Sequence, residues 1–175
     1  MKAQMTDHWG TSIGLLIHIK TQILHADPDD IYGSEPPHLG ASDADLDLAE
    51  LRLSEKIDPQ HRQLLQHADG WPRFFISNYL LTSQQLSDPL VIAQTRKSNE
   101  LAIEHLDIDL DDWGLIAKDF EGRSTMLIGR TSRPFAGQVL WLDGEEIDRF
   151  PTVRDWFESM IAYHREGLEE ALSLQ

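Results

Sequence analysis

The sequence predicts an α+β fold, an antiparallel sheet of short strands flanked by helices, and three observations predict it. Apolar residues recur at helical spacing in the first half of the chain and again at its end. Between them lie short apolar runs divided by glycine-containing turns, as in an antiparallel meander. One stretch, Ile57 to Trp71, joins the two regimes, because it reads as a short helix with both ends marked and an exit into a strand.

The chain has 175 residues, 41% of them hydrophobic, with five Trp and six Phe. That is enough for one domain with a real core and argues against disorder. We expect a single globular domain, with residues 1–40 forming an N-terminal helix and a Pro/Gly/Asp-rich loop, and residues 41–175 forming the main body. Apolar positions Ile13, Leu16, Ile17, Ile23 and Leu24 predict the first helix from about Trp9 to Leu24. Residues 25–40 hold three Asp, one Glu, three Pro and two Gly. This composition makes a loop long enough to suggest that the first helix is an appendage.

Ser42-Asp43-Ala44-Asp45 has the form of a capping box with Asp for Glu, opening a helix whose apolar face is Leu46, Ala49, Leu51 and Leu53, with a stop near Lys56. Asp58 then caps a second helix with Pro59 at its first position, and Gly70 suits the left-handed residue that ends one. Trp71-Pro72 blocks continuation, Phe74-Phe75-Ile76 reads as a short strand, and Tyr79-Leu80-Leu81 as a further short strand or turn. Asp88-Pro89 repeats the start signal, predicting a third core helix to about Leu106 with Leu90, Ala93, Leu101 and His105 on its inner side. Strands follow at Trp113 to Ala117, Ser124 to Ile128 and Gln138 to Leu142. Thr152 caps a last helix carrying Trp156, Phe157, Met160, Ile161, Tyr163 and Leu168.

The formal net charge is −15 and there is no cysteine. Disulfides, thiolate nucleophiles and Cys-based zinc sites are thereby excluded, and a reducing, cytoplasmic location is expected. Carboxylates repel phosphate and anionic lipid but attract basic protein surfaces, so neither direct nucleic-acid binding nor membrane association is expected. Such acidity also suits a bacterial cytosolic protein of any function.

No catalytic, cofactor or metal site is expected. There is no HxxxH or HExxH; His61 and His67 are six residues apart, and His18 and His25 seven. The alternating carboxylates from Asp43 and from Asp107 fail as calcium loops, since the sixth position is Leu48 or Asp112 and the twelfth Ser54 or Lys118. GxSxG, P-loop and GxGxxG signatures are absent. Glu145 and Glu146 read as a solvated turn.

With the helix–Gly–aromatic unit and the meander in place, the chain resembles the SMI1/KNR4 family of the SUKH superfamily. The resemblance rests on Ala49-Glu50-Leu51 in an acidic helix, Ile57-Asp58-Pro59 where Leu-Pro is usual, Leu64-Leu65 with Asp69-Gly70, Trp113 to Ala117, Gly137-Gln138-Val139, and Trp156-Phe157 in the closing helix. It covers about residues 41–163, with an extra N-terminal helix outside it. It implies a non-enzymatic protein-binding module. Bacterial members are commonly immunity proteins that neutralise a cognate toxin, often a nuclease or deaminase, whereas fungal members act in cell-wall signalling. A housekeeping protein- or peptide-binding adaptor, or a carboxylate- or metal-dependent enzyme, are the alternatives. For the partner surface we expect the acidic turns, Asp107, Asp109, Asp111 and Asp112 with Asp143, Glu145 and Glu146, together with Trp71 and Trp113. The expected partner is a basic toxin domain.

Overall fold

Six strands follow one another across a single open sheet in chain order, every neighbour antiparallel. They are β1 (Trp71–Phe75), β2 (Asn78–Leu80), β3 (Trp113–Lys118), β4 (Ser124–Gly129), β5 (Val139–Asp143) and β6 (Glu146–Phe150). The computed structural model describes residues 8–27 and 29–173. Among them the helices are α1 (His8–Ala26), α2 (Asp43–Leu53), α3 (Pro59–His67), α4 (Pro89–Ser98), α5 (Glu100–His105) and α6 (Val153–Ser173).

Helices cover both faces of the sheet, and strand alternation shows it. Along β4 and β5, Met126, Ile128 and Val139 enter a core shared with α1 and α6, while Leu127, Leu140 and Leu142 enter a second core with Leu46 and Ala49 of α2. β4 is consequently buried at every residue. α3 stands between the two, since Leu64 belongs to the first core and its neighbour Leu65 to the second.

The predicted local signals act as chemistry requires. Ser42 Oγ accepts from the Asp45 amide, and the Asp45 carboxylate accepts from the Ser42 amide, which makes the capping box. Asp58 accepts from the Gln60 and His61 amides at 2.9 and 3.1 Å, with Pro59 beside it. Thr152 Oγ1 accepts from the Asp155 amide at the start of α6. Gly70 does adopt a left-handed φ of +93°, but it is not the helix terminus: α3 stops at His67, and Gly70 instead turns the chain into β1, where a Cβ would press on the Thr82 methyl. Pro72 is tolerated because β1 is an edge strand.

α1 is part of the main core, not an appendage. Trp9, Ile13, Leu16, Ile19 and Ile23 are buried, and Trp9 meets Phe157 edge-on at 5.4 Å. Ile17 and Leu24, expected to point inward, are exposed instead. The loop after α1 is pinned as well. The buried Lys20 ammonium donates to the carbonyls of Tyr32, Arg73 and Phe74 at 2.7, 2.8 and 3.3 Å, and Trp71 Nε1 donates to the Glu35 carbonyl at 2.7 Å. Burial pulls Lys20 down to about 8 against the raising influence of Glu35 and Asp30.

The predicted third core helix is broken and peripheral. Asn99 divides α4 from α5, its side-chain amide donating to the Gly122 carbonyl and Thr125 Oγ1 at 2.7 and 3.1 Å, and Leu90 and Leu101 are 73% and 82% exposed. A sixth strand, β6, occupies the segment after the turn at Gly144, where the sequence suggested only a turn.

Candidate functional site

The expected partner-binding residues do not form one surface. Asp112 immediately precedes Trp113, which pairs with Gly129 at one end of β4, whereas Asp143 pairs with Ser124 at the other. At roughly 3.4 Å per residue, the length of β4 puts the two acidic turns about 17 Å apart. Burial takes Trp71 and Trp113 off the outer surface, at 1% and 5% exposed, although Trp113 lines a cavity. Trp71 sits against Phe74, and Trp113 lies stacked on Phe135 beneath the Arg149 guanidinium.

Salt bridges divide the carboxylates further. Asp111 pairs with Arg96 at 2.9 Å, Asp112 with Arg133 at 3.6 Å, and Glu146 with Arg149 at 3.0 Å. The Arg149 hydrogen bonds hold the Glu146 carboxyl below its ordinary range. Asp107 and Asp109 make no salt bridge among the described residues, and Asp109 accepts from the Asp111 amide to cap the 3-10 turn Leu110–Asp112. Asp143 and Glu145 are exposed at the tip of the β5–β6 turn.

Beside Asp109 the peripheral helices enclose an open groove. Ala93, Ile103, Ile108 and Leu110 supply its apolar lining, and Glu100, Glu104 and Asp109 face it together with Arg96 and Lys97. Neither Glu100 nor Glu104 has a salt bridge among the described residues, so this surface joins an apolar strip to carboxylates that carry no paired cation.

On the other side of α4 lies a second concavity, a cavity of about 80 Å³ over the second face of the sheet. Leu115 and Leu127 form its floor; Leu86, Ile92, Trp113 and His61 form its walls. Its mouth is built by Glu55 and Arg130. Arg130 donates to Glu55 at 3.0 Å and to the Trp113 carbonyl at 3.2 Å, while Glu55 also accepts from the Ser132 amide and hydroxyl at 3.2 and 2.9 Å. Burial pushes the Glu55 carboxyl up, but the Arg130 and Ser132 hydrogen bonds outweigh it and hold the group below its ordinary range.

His61 is the residue that sequence reasoning missed. It is 3% exposed, its ring makes no hydrogen bond among the described residues, and burial pushes it down to about 4, so the imidazole is neutral at neutral pH. The available signal was its position one turn before Leu65 on the apolar side of α3. The cavity itself draws on α3, α4, β3, β4 and the link before α3, which no local pattern connects.

Among the described residues no group of three or more His, Asp or Glu is placed to hold a metal ion, and no helix is long and apolar enough to cross a membrane. No protein-family model matches the chain, and no characterised protein matches it.

Proposed function

We propose that this chain is a non-enzymatic protein-binding module, an immunity protein of the SMI1/KNR4 kind that neutralises a basic toxin domain in the cytoplasm. The observation that carries the reading is the surface formed by α4, α5 and the turn after them. Leu101 stands 82% exposed on it, the groove beside it is apolar, and Glu100, Glu104, Asp107 and Asp109 lack salt bridges among the described residues. An apolar centre with a charged rim is the anatomy of a protein interface. The rim sets Glu100, Glu104 and Asp109 beside Lys97 and an Arg96 already paired with Asp111, so its balance is acidic, as is the whole chain at −15. A nuclease must grip phosphate with Lys and Arg, so an inhibitor that offers carboxylates meets it with complementary charge and captures it quickly. The resemblance in Ile57 to Gly70 and in the closing helix supplies the class of partner.

The test is to look beside this gene for a large secreted protein with a basic C-terminal domain and to measure stopped-flow association with that domain. Replacing Glu100 and Glu104 with Gln, and Asp107 and Asp109 with Asn, removes four charges while keeping the acceptor that caps the 3-10 turn. Asn also tolerates the positive φ of Asp107. The variant is expected to associate about tenfold more slowly at low ionic strength and to lose most of its salt dependence. Unchanged kinetics would remove this surface from the reading, and absence of binding by the parent protein would remove the toxin.

A further inference from the structure

Buried polar groups in proteins are nearly always hydrogen-bonded, and an imidazole left without a partner inside an apolar enclosure loses hydrogen bonds that water would have supplied. Three buried side chains in this molecule show the contrast. Lys20 satisfies its ammonium with three carbonyls, and His164 accounts for Nδ1 through the Met160 carbonyl at 2.7 Å but leaves Nε2 without a partner among the described residues, away from any of the concavities described above. His61 is as deeply buried but has neither ring nitrogen engaged among the described residues, and it alone of the three lines a cavity.

The cavity's chemistry narrows what would complete it. Its floor and walls are Leu115, Leu127, Leu86, Ile92 and the Trp113 ring, so the body of an occupant must be apolar. The three cations that line the cavity are already paired, Arg130 with Glu55, Arg96 with Asp111 and Lys56 with Glu50, so no strong site for an anion remains. A neutral imidazole offers one donor and one acceptor, and a hydroxyl group pairs with either nitrogen whichever tautomer is present. The volume of about 80 Å³ is near half that of an engineered cavity that takes benzene, at roughly 150 Å³, and the open mouth leaves room for the remainder of a ring.

We propose that this cavity is a binding site for a phenol-sized apolar molecule bearing one hydroxyl, which hydrogen-bonds to His61 while its ring packs against Trp113, Leu115 and Ile92. The proposal does not depend on the protein partner. A hydroxylated ring reaches the site as a free small phenol or as a tyrosine side chain on a bound chain, and the two sources share one chemistry.

The probe is p-cresol, with toluene as the control that lacks only the hydroxyl. Titration is followed by the His61 ring signals in a heteronuclear NMR spectrum. p-Cresol is expected to shift the His61 signals and to bind about three- to tenfold tighter than toluene, the discrimination one net hydrogen bond provides. His61→Leu is expected to bind the two equally. Ile92→Trp, placed on a half-buried position of α4 at the cavity wall, is expected to abolish binding and keeps the test independent of how His61→Leu folds. N-acetyl-tyrosinamide separates the sources: tighter binding than p-cresol assigns the site to a tyrosine side chain, and exclusion assigns it to a free phenol. Silence of the His61 signals at saturating p-cresol, equal affinity for toluene, or undiminished binding by Ile92→Trp would each overturn the proposal and leave the cavity to water.

Discussion

The two faces of the sheet are built to different standards. On the first, α1 and α6 close over an aromatic core in which Trp71, Phe74, Trp156 and Phe157 are almost wholly buried, with ring centroids 5.5 to 6.2 Å apart. Even its charged member, Lys20, is fully bonded. On the second face, α2 packs well at Leu46 and Ala49, but α4 and α5 are short, divided at Asn99, and leave Leu90 and Leu101 in solvent. Both concavities described above, and the histidine that lines one of them, occur on that side. A sealed face holds the fold, so the chain can leave the other face incomplete for something else to cover.

The comparison is broken most severely by removing a layer from the sealed face. Deleting residues 1–35 strips α1 and the loop anchored by Lys20, and cooperative thermal unfolding is expected to disappear. Retained cooperativity would return α1 to the status of an appendage. Trp156→Ala leaves a large void among Phe74, Phe157 and Met126 and is expected to cost about 3–5 kcal/mol in chemical denaturation. The corresponding change on the open face, Leu101→Ala, is expected to stay within about 0.5 kcal/mol.

Acid separates the faces more finely, because each contains one buried histidine. His61 and His164 are both pushed from 6.5 to about 4 chiefly by burial, with Lys20 adding to the effect at His164 and the Met160 carbonyl opposing it. In the unfolded chain each takes up a proton below about 6.5, in the folded protein only below about 4. Between those values the unfolded state binds more protons, so stability present at neutral pH is lost as the pH falls through this window, on the order of 3 kcal/mol for each histidine. His61→Leu is expected to flatten about half of that dependence without lowering the melting temperature at pH 7, since it removes an unpaired polar group. An unaltered pH profile would show that His61 finds a partner in solution.

How much of this was legible depends on the range of the interactions. Helix starts at Ser42, Asp58, Pro89 and Thr152 are local, set by a side chain and an amide two or three residues away, and they were readable. So were β3 to β5, the meander in which apolar runs are separated by turns, and the strand-type apolar run of β1. β6 was not, because its residues Glu146, Asp148 and Arg149 are polar, as suits a sheet edge that must not recruit another strand. The break at Asn99 depends on Gly122 and Thr125, more than twenty residues on, and the burial of α1 on Lys20 reaching Arg73 and Phe74. Acidic turns were visible as composition, yet their separation followed only from the strand register. Trp71 and Trp113 illustrate the same limit: an aromatic at the start of a strand serves a core or a surface equally well until the neighbouring elements are known.

The central claim is that the second face is the adaptable one, and native-state hydrogen exchange measures it directly. Amides of α4 and α5 are expected to exchange through local opening at a small fraction of the global unfolding free energy, whereas amides of β4, α6 and α1 exchange only with global unfolding. Equal protection of α4, α5 and α6 would contradict the account, because it would make the two faces one cooperative unit with nothing held in reserve for a partner or a ligand.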